Sequence, residues 1–157
     1  MNIQTLYSTA LAGHITGLTI MAGTTFSGYI VSHQFWKQLQ TDKAKGIAIN
    51  TAVAKLPILF GIGFLLLVVS GVTMMAITHG AFGEQLWFRV KFGLILFIVI
   101  NGLVFGRRQG IQLRRYLSEG ADDEQKRLTL KRNFNLFYLL QLAAFLLIYV
   151  LSVFKFN

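Results

Sequence analysis

The long apolar segments of this chain contain few ionisable side chains, and those few are the first candidates for chemistry. They are His14, His33, His79, Arg89 and Lys91. An ionisable group inside a membrane is energetically costly, so each of them is a functional candidate. No Asp or Glu lies within an apolar segment. This absence argues against a carrier driven by protons or sodium ions, which usually needs a membrane carboxylate.

Two of these groups and one methionine are predicted to lie in one layer. A helix rises about 1.5 Å per residue, which puts His14 about two turns inside the first apolar segment and Lys91 at a similar depth in the third. Both segments are predicted to begin on the same side of a membrane. Met75 lies one turn below His79, which ends the second segment. We therefore expect His14, Met75 and Lys91 in one layer, with His79 at the nearby surface and His33 at the far end.

The rotation of a helix, about 100° per residue, indicates which of these side chains face neighbouring helices. His14 shares a stripe with small and hydroxyl residues, a composition that is typical of a close helix–helix interface. Lys91 shares a face with Trp87, whereas Arg89 points nearly opposite and is expected to snorkel to the headgroups. The His14 stripe consists of Ala10, His14, Gly17, Met21, Thr25, Gly28 and Ser32.

The elements that must position these residues are four apolar helices. The chain is 54% hydrophobic and only 13% charged, against about 25% charged in an ordinary soluble domain. Each segment has the length of about 20 residues that crosses the hydrocarbon of a bilayer. The sequence predicts an all-α, polytopic membrane four-helix bundle that forms a single domain over residues 1–157. The predicted spans are Ser8–Val31, Leu56–Ile77, Leu86–Gly106 and Phe134–Phe154.

Lysine and arginine are concentrated in two connectors, residues 32–55 and 107–133. The positive-inside rule puts both of these basic loops in the cytoplasm and both termini on the extracytoplasmic side. The formal charge of +9 is thus attributed to topology and lipid headgroups and not to nucleic acid, because no folded module displays the basic groups. The acidic stretch Glu119–Glu124, which lies between basic runs, predicts a solvated, partly helical loop with internal ion pairs. The absence of cysteine excludes disulfides and thiolate-held metal clusters.

Each candidate also has a purely structural interpretation. His14 would then hydrogen-bond a hydroxyl or carbonyl group on a neighbouring helix, and Lys91 would snorkel outward along its long stem. Methionines in spans usually fill gaps in the packing, which applies to Met21, Met74 and Met75. The two amides that are expected to hydrogen-bond between helices are Asn101 and Gln141.

The pattern around these residues resembles a known family. The first span contains Gly13-His14, then Met21-Ala22-Gly23, and ends at Ser32-His33. The third span opens with Trp87-Phe88-Arg89-Val90-Lys91 and continues to Asn101-Gly102. This pattern resembles the four-span HemJ-type protoporphyrinogen oxidases and their relatives, the CopD-like copper-resistance membrane domains. The signature polar residues of the HemJ-type proteins are a histidine in span one and a lysine early in span three.

The resemblance implies a b-type haem inside the bundle, with His14 as an axial ligand of the iron. Lys91 would pair with a propionate or act in proton transfer, and His79 or Met75 would supply the second axial ligand. The implied activity is the oxidation of a porphyrinogen, with a membrane quinone as electron acceptor, in the inner membrane of a bacterium. The further candidate contacts of the cofactor are Met21 and Trp87.

Two other functions fit the same residues. One is copper binding or transport as in CopD-like domains, because imidazole and thioether groups are ligands that copper accepts. The other is a non-catalytic membrane subunit or assembly factor, whose basic loops would contact a cytoplasmic partner. Gly13 and Gly17 have the spacing of a helix dimer, which makes a homo-oligomer an alternative to packing within one chain. The copper ligands would be His14, Met21, Met75 and His79.

Overall fold

The computed structural model describes residues 2–80, 83–120 and 123–154, and these residues are helical almost throughout. No strand occurs within the described ranges, so the predicted all-α fold class is confirmed. A π-helical segment, Asn101–Gly106, joins the fourth helix to the fifth without a break. The helices are α1 (Ile3–Thr41), α2 (Lys43–Ala52), α3 (Leu56–Ile77), α4 (Leu86–Ile100), α5 (Arg107–Ser118) and α6 (Glu124–Val153).

Short polar side chains mark where several of these helices begin. The side chains of Asn2, Asp42 and Asp123 each accept a hydrogen bond from a backbone N–H in the first turn of α1, α2 and α6. Such caps satisfy N–H groups that have no partner inside the helix. Pro57 lies in the first turn of α3, where its missing N–H costs little. The predicted second span therefore begins where the sequence indicated.

Three helical stretches are long and apolar enough to cross a membrane: Lys43–Ile77, Leu86–Ser118 and Glu124–Val153. They contain the predicted second and third spans and all but the last residue of the fourth, and they make this chain an integral membrane protein. The predicted first span, Ser8–Val31, lies inside α1, which is not among these stretches because its glycine, serine and threonine residues lower its hydropathy. The fourth crossing of the membrane therefore stays a prediction.

The helices pack in a chain of neighbours. α1 packs along α3 and also against α6, and α6 packs against α4 and α5. The Cα atoms of α3 and α4 do not come within 8 Å of each other, so the backbones of these two helices are not in close contact. Side chains from α1, α3, α4 and α6 meet in one apolar core. Its buried members are Leu18, Met21, Leu67, Ile98, Ala144, Phe145 and Ile148.

The two connectors that were predicted as basic loops are mostly helical. Residues 32–55 contain the end of α1 and all of α2, and residues 107–133 contain α5 and the start of α6. We call these two regions together the basic end of the molecule. They enclose a second apolar cluster, which explains why they fold: amphipathic helices become stable by burying one face. Its buried members are Phe35, Trp36, Leu39, Leu113, Tyr116 and Leu130.

Candidate functional site

A close contact between glycines sets the position of His14. A Cβ atom placed on Gly17 would lie 2.7 Å from the carbonyl oxygen of Gly63, and a Cβ on Gly63 would lie 2.9 Å from that of Gly17. Only glycine lets the backbones of α1 and α3 approach so closely, which is the packing mode of small residues in membrane helices. His14 lies about one turn before Gly17, so this contact holds its ring against α3.

The His14 ring is anchored through one of its two nitrogens. Nδ1 lies 3.1 Å from the carbonyl oxygen of Leu67 and 3.1 Å from the Oγ of Ser70. A carbonyl only accepts hydrogen bonds, and the Ser70 hydroxyl donates its own hydrogen to the Leu66 carbonyl at 2.6 Å. Both neighbours therefore accept, and Nδ1 carries the hydrogen.

This arrangement leaves the second nitrogen of His14 with its lone pair. Within the described residues Nε2 has no hydrogen-bond partner, and the His14 side chain is only half-buried. Histidines that bind metals almost always donate their other ring N–H to a carbonyl, carboxylate or water, which fixes the tautomer and the direction of the ring. His14 has that support already in place, so its Nε2 is suited to bind a metal ion.

Lys91 faces the same region from α4. Its Nζ lies 5.3 Å from the centre of the Trp87 ring, a cation–π distance, and Trp87 is itself buried. The ammonium group also acts electrostatically on the His14 ring. Lys91 of α4 is thus near enough to His14 of α1 for its charge to act on the ring. Arg89 is exposed and donates to the Gly83 carbonyl at 3.2 Å.

The other predicted ligands do not join this group. Met75 is 44% exposed, and His79 is an exposed residue just beyond α3 with a left-handed φ of 50°. Met21 is buried in the apolar core, about two turns further along α1 than His14. Among the described residues there is no group of three or more histidine, aspartate or glutamate side chains that could hold a metal ion.

Three neighbours of His14 were not singled out from the sequence. Ser70 and the carbonyl of Leu67 hold the ring, and Gly71 lies against it, because a Cβ on Gly71 would come within 3.4 Å of the His14 Cε1. The available signal was Ser70, one of two hydroxyl residues in the apolar run of α3. Met74 is one helical turn beyond Ser70 and is half-buried. Of the two neighbouring methionines, Met74 therefore lies nearer than Met75 to the face of α3 that contacts His14.

The two predicted interhelical amides do bond to each other. Asn101 Nδ2 donates to Gln141 Oε1 at 2.7 Å, and Gln141 Nε2 donates to the Ile98 carbonyl at 3.1 Å. Both side chains are buried. A side chain that bonds a backbone carbonyl disturbs the regular ladder of a helix, and the π-helical segment begins at Asn101. We therefore assign this pair a structural role.

Comparisons of the chain with protein-family models, with curated proteins and with solved structures found no match.

Proposed function

We propose that this chain is a membrane redox protein that binds haem b, with His14 as an axial ligand of the iron. The observation that carries the proposal is the anchoring of Nδ1 by Leu67 and Ser70, which leaves Nε2 as the coordinating nitrogen. The donor set fits a haem of this kind, because one imidazole nitrogen with its partner nitrogen hydrogen-bonded is enough for a proximal ligand.

Lys91 is proposed to bind an anionic group of the ligand. The Trp87 ring holds its ammonium group on the inner side of α4, near the His14 ring on which its charge acts. A haem or porphyrinogen carries propionates, and a carboxylate beside an ammonium group in a medium of low dielectric is strongly attracted. Lys91 would thereby orient the tetrapyrrole, while the haem when bound would supply the electron-transfer chemistry.

The activity we propose is the oxidation of a porphyrinogen, as the resemblance to HemJ-type oxidases implies. A membrane quinone is the proposed electron acceptor, since a redox protein in the bilayer has ready access to it. The proposed topology is four spans, with the basic end in the cytoplasm and both termini outside, in a bacterial inner membrane. The concentration of lysine and arginine at one end of the molecule supports this orientation.

An absorption spectrum of protein purified in mild detergent tests the haem. We expect a Soret band, with α and β bands that sharpen on reduction, and we expect His14→Ala to lose them. His33→Ala is the matched control, because His33 is exposed and its ring contacts Tyr29 of the same helix. His79→Ala and Met74→Ala separate the candidates for a second axial ligand by their effect on the band positions.

A colourless protein after expression with a haem precursor would refute the proposal. Copper titration would then test the CopD-like alternative, in which Met75→Leu and Met21→Leu should weaken binding. A chain that binds neither and copurifies with a larger complex would be the non-catalytic subunit that the sequence also allowed.

A further inference from the structure

The fifth helix displays arginines on one face. Helix α5 buries Gln109, Leu113 and Tyr116 against the rest of the molecule, and its opposite face is exposed. At 3.6 residues per turn, the exposed residues form one stripe about Ile111, which is itself 52% exposed. We call three residues of this stripe, which have no carboxylate partner among the described residues, the arginine face: Arg107, Arg108 and Arg114.

Several other basic residues of the basic end are already paired with carboxylates. Arg115 contacts Glu119 at 2.7 Å, Arg127 contacts Glu124 at 3.1 Å, and Lys45 contacts Asp42 at 3.5 Å. The arginine face makes no ion pair with the carboxylates of the described residues. Three guanidinium groups on one helix therefore present unneutralised charge and planar hydrogen-bond donors, which suit phosphate.

The arginine face begins where the apolar part of its helix ends. Helix α4 has 15 residues and the π-helical segment has 6, and together they extend about 31 Å, close to the hydrocarbon thickness of a bilayer. Leu103, Val104 and Phe105 are 68%, 54% and 52% exposed, as lipid-facing residues would be. Arg107 and Arg108 follow at once, at the depth of the headgroups.

Arg114 also reaches this depth. Its Cα lies about 10 Å beyond that of Arg107 along the axis. Side chains of an α-helix lean toward the helix N-terminus, which for α5 is the direction of the apolar helix α4. The long side chain of Arg114 therefore points back toward the same headgroup layer.

From these observations we propose that the arginine face of α5 binds the phosphate groups of anionic phospholipids in the leaflet at the basic end. The continuity with an exposed apolar strip selects a lipid over a soluble polyanion, since acyl chains would lie along Leu103–Phe105 while the headgroup meets the arginines. The proposal depends on the membrane character of the chain and not on the haem.

The test compares two triple variants that remove equal charge. Arg107→Gln, Arg108→Gln and Arg114→Gln together remove the arginine face. The control triple removes three basic residues that are already ion-paired: Lys45→Gln, Arg115→Gln and Arg127→Gln. Native mass spectrometry of protein in detergent counts bound lipid, and the thermal midpoint is followed as phosphatidylglycerol or phosphatidylcholine is added.

We expect the wild type and the control triple to prefer phosphatidylglycerol and to be stabilised by it. Each arginine near the surface contributes about fivefold to binding, so loss of all three should weaken it on the order of a hundredfold. An equal loss in both triples would overturn the proposal, because net charge alone would then explain the binding. Tighter binding of an RNA oligonucleotide or of free glycerol phosphate than of the lipid would overturn it too.

Discussion

At the scale of single residues, His14 shows how much one tertiary contact adds to a sequence pattern. Its position on a stripe of small residues predicted that it faces a neighbouring helix, and its contact with Leu67 and Ser70 confirms this. The purely structural interpretation of His14, in which its ring hydrogen-bonds a carbonyl or hydroxyl group of a neighbouring helix, also agrees with these contacts. The two interpretations are compatible, because that bond uses Nδ1 and a metal would use Nε2.

Lys91→Met tests the functional role of the lysine. The variant keeps the length of the side chain but removes the charge that lies over Trp87 and acts on His14. We expect normal expression, reduced retention of haem, and a kcat/KM for porphyrinogen oxidation lower on the order of a hundredfold. Arg89→Met is the control, because Arg89 is exposed on the same helix. Activity equal to that of the wild type would show that Lys91 has no functional role.

At the scale of elements, the contact between α1 and α3 depends on two glycines. Nearly the whole predicted stripe of α1 is buried, so the assignment of its packing face from the sequence was correct. The sequence left open whether the partner was another copy of the chain or another helix of the same chain. In the structure α3 covers Gly17, so this surface is occupied within one molecule.

Gly17→Ala and Gly13→Ala form a matched pair that tests this contact. A Cβ on Gly17 would collide with backbone atoms of Gly63 and Leu67, whereas a Cβ on Gly13 would make ordinary contacts at 3.8 Å or more. We expect Gly17→Ala to destabilise the protein by about 1–3 kcal/mol through overpacking. Gly13→Ala should be nearly neutral. Thermal unfolding in detergent measures both, and equal effects would refute the close approach.

The π-helical segment begins at Asn101, which bonds Gln141. A double-mutant cycle tests how strongly these two amides are coupled. Gln141→Leu removes the bond to Ile98 and leaves Asn101 without its shorter partner, so it should cost about 1–2 kcal/mol. Each single change deprives the other amide of a hydrogen-bond partner. The double variant Asn101→Leu with Gln141→Leu should therefore lose less stability than the sum of the losses in the two single variants. Additive costs would show that the pair is not coupled.

The hairpin of α5 and α6 should respond to acid through Glu119. Hydrogen bonds from Lys126 first and Arg115 second hold the pKa of the Glu119 carboxyl below its ordinary value. A lowered pKa adds stability that is fully present above the unfolded value of about 4.3 and is lost as the pH falls through the folded value. Unfolding midpoints from neutral to acid pH should therefore fall less steeply in Glu119→Gln. The difference should shrink in about 1 M salt, which screens exposed pairs, and a salt-independent slope would contradict this origin.

At the scale of the whole molecule, the chain contains two apolar clusters at different positions along its helices. One joins α1, α3, α4 and α6 in the apolar part, and the other lies inside the basic end. For residues 107–133 the alternating blocks of charge predicted a solvated, partly helical loop with internal ion pairs. The predicted ion pairs are present between Glu119 and Lys126 and between Glu124 and Arg127, while residues 121 and 122 of the acidic stretch lie outside the described residues.

The number of crossings can be tested with single cysteines, since the chain has none of its own. Thr5→Cys, Glu84→Cys and Ser118→Cys all lie at exposed positions. With four spans, an impermeant thiol reagent should label Thr5→Cys and Glu84→Cys from outside, and Ser118→Cys only after the membrane is opened. If Thr5→Cys is labelled only after the membrane is opened, like Ser118→Cys, then α1 does not cross the membrane.

The sequence by itself determined the membrane character, the helical class, the limits of α3 and the start of α4 at Leu86. These follow from long apolar runs and from Pro57, which act locally along the chain. It also determined which face of α1 is buried, because helical rotation is a local property. It did not find Ser70 and Leu67 as partners of His14, since they lie 56 and 53 residues away.

Only the tertiary structure decided which candidates meet. Depth along a helix placed Met75 in the layer of His14, but the rotation of α3 in its contact with α1 turns Met75 outward and leaves Met74 on the inner side. That rotation is set by the close approach of Gly17 and Gly63, a contact between two segments distant in sequence. Such contacts depend on the packing of whole helices, which no local pattern of residues specifies.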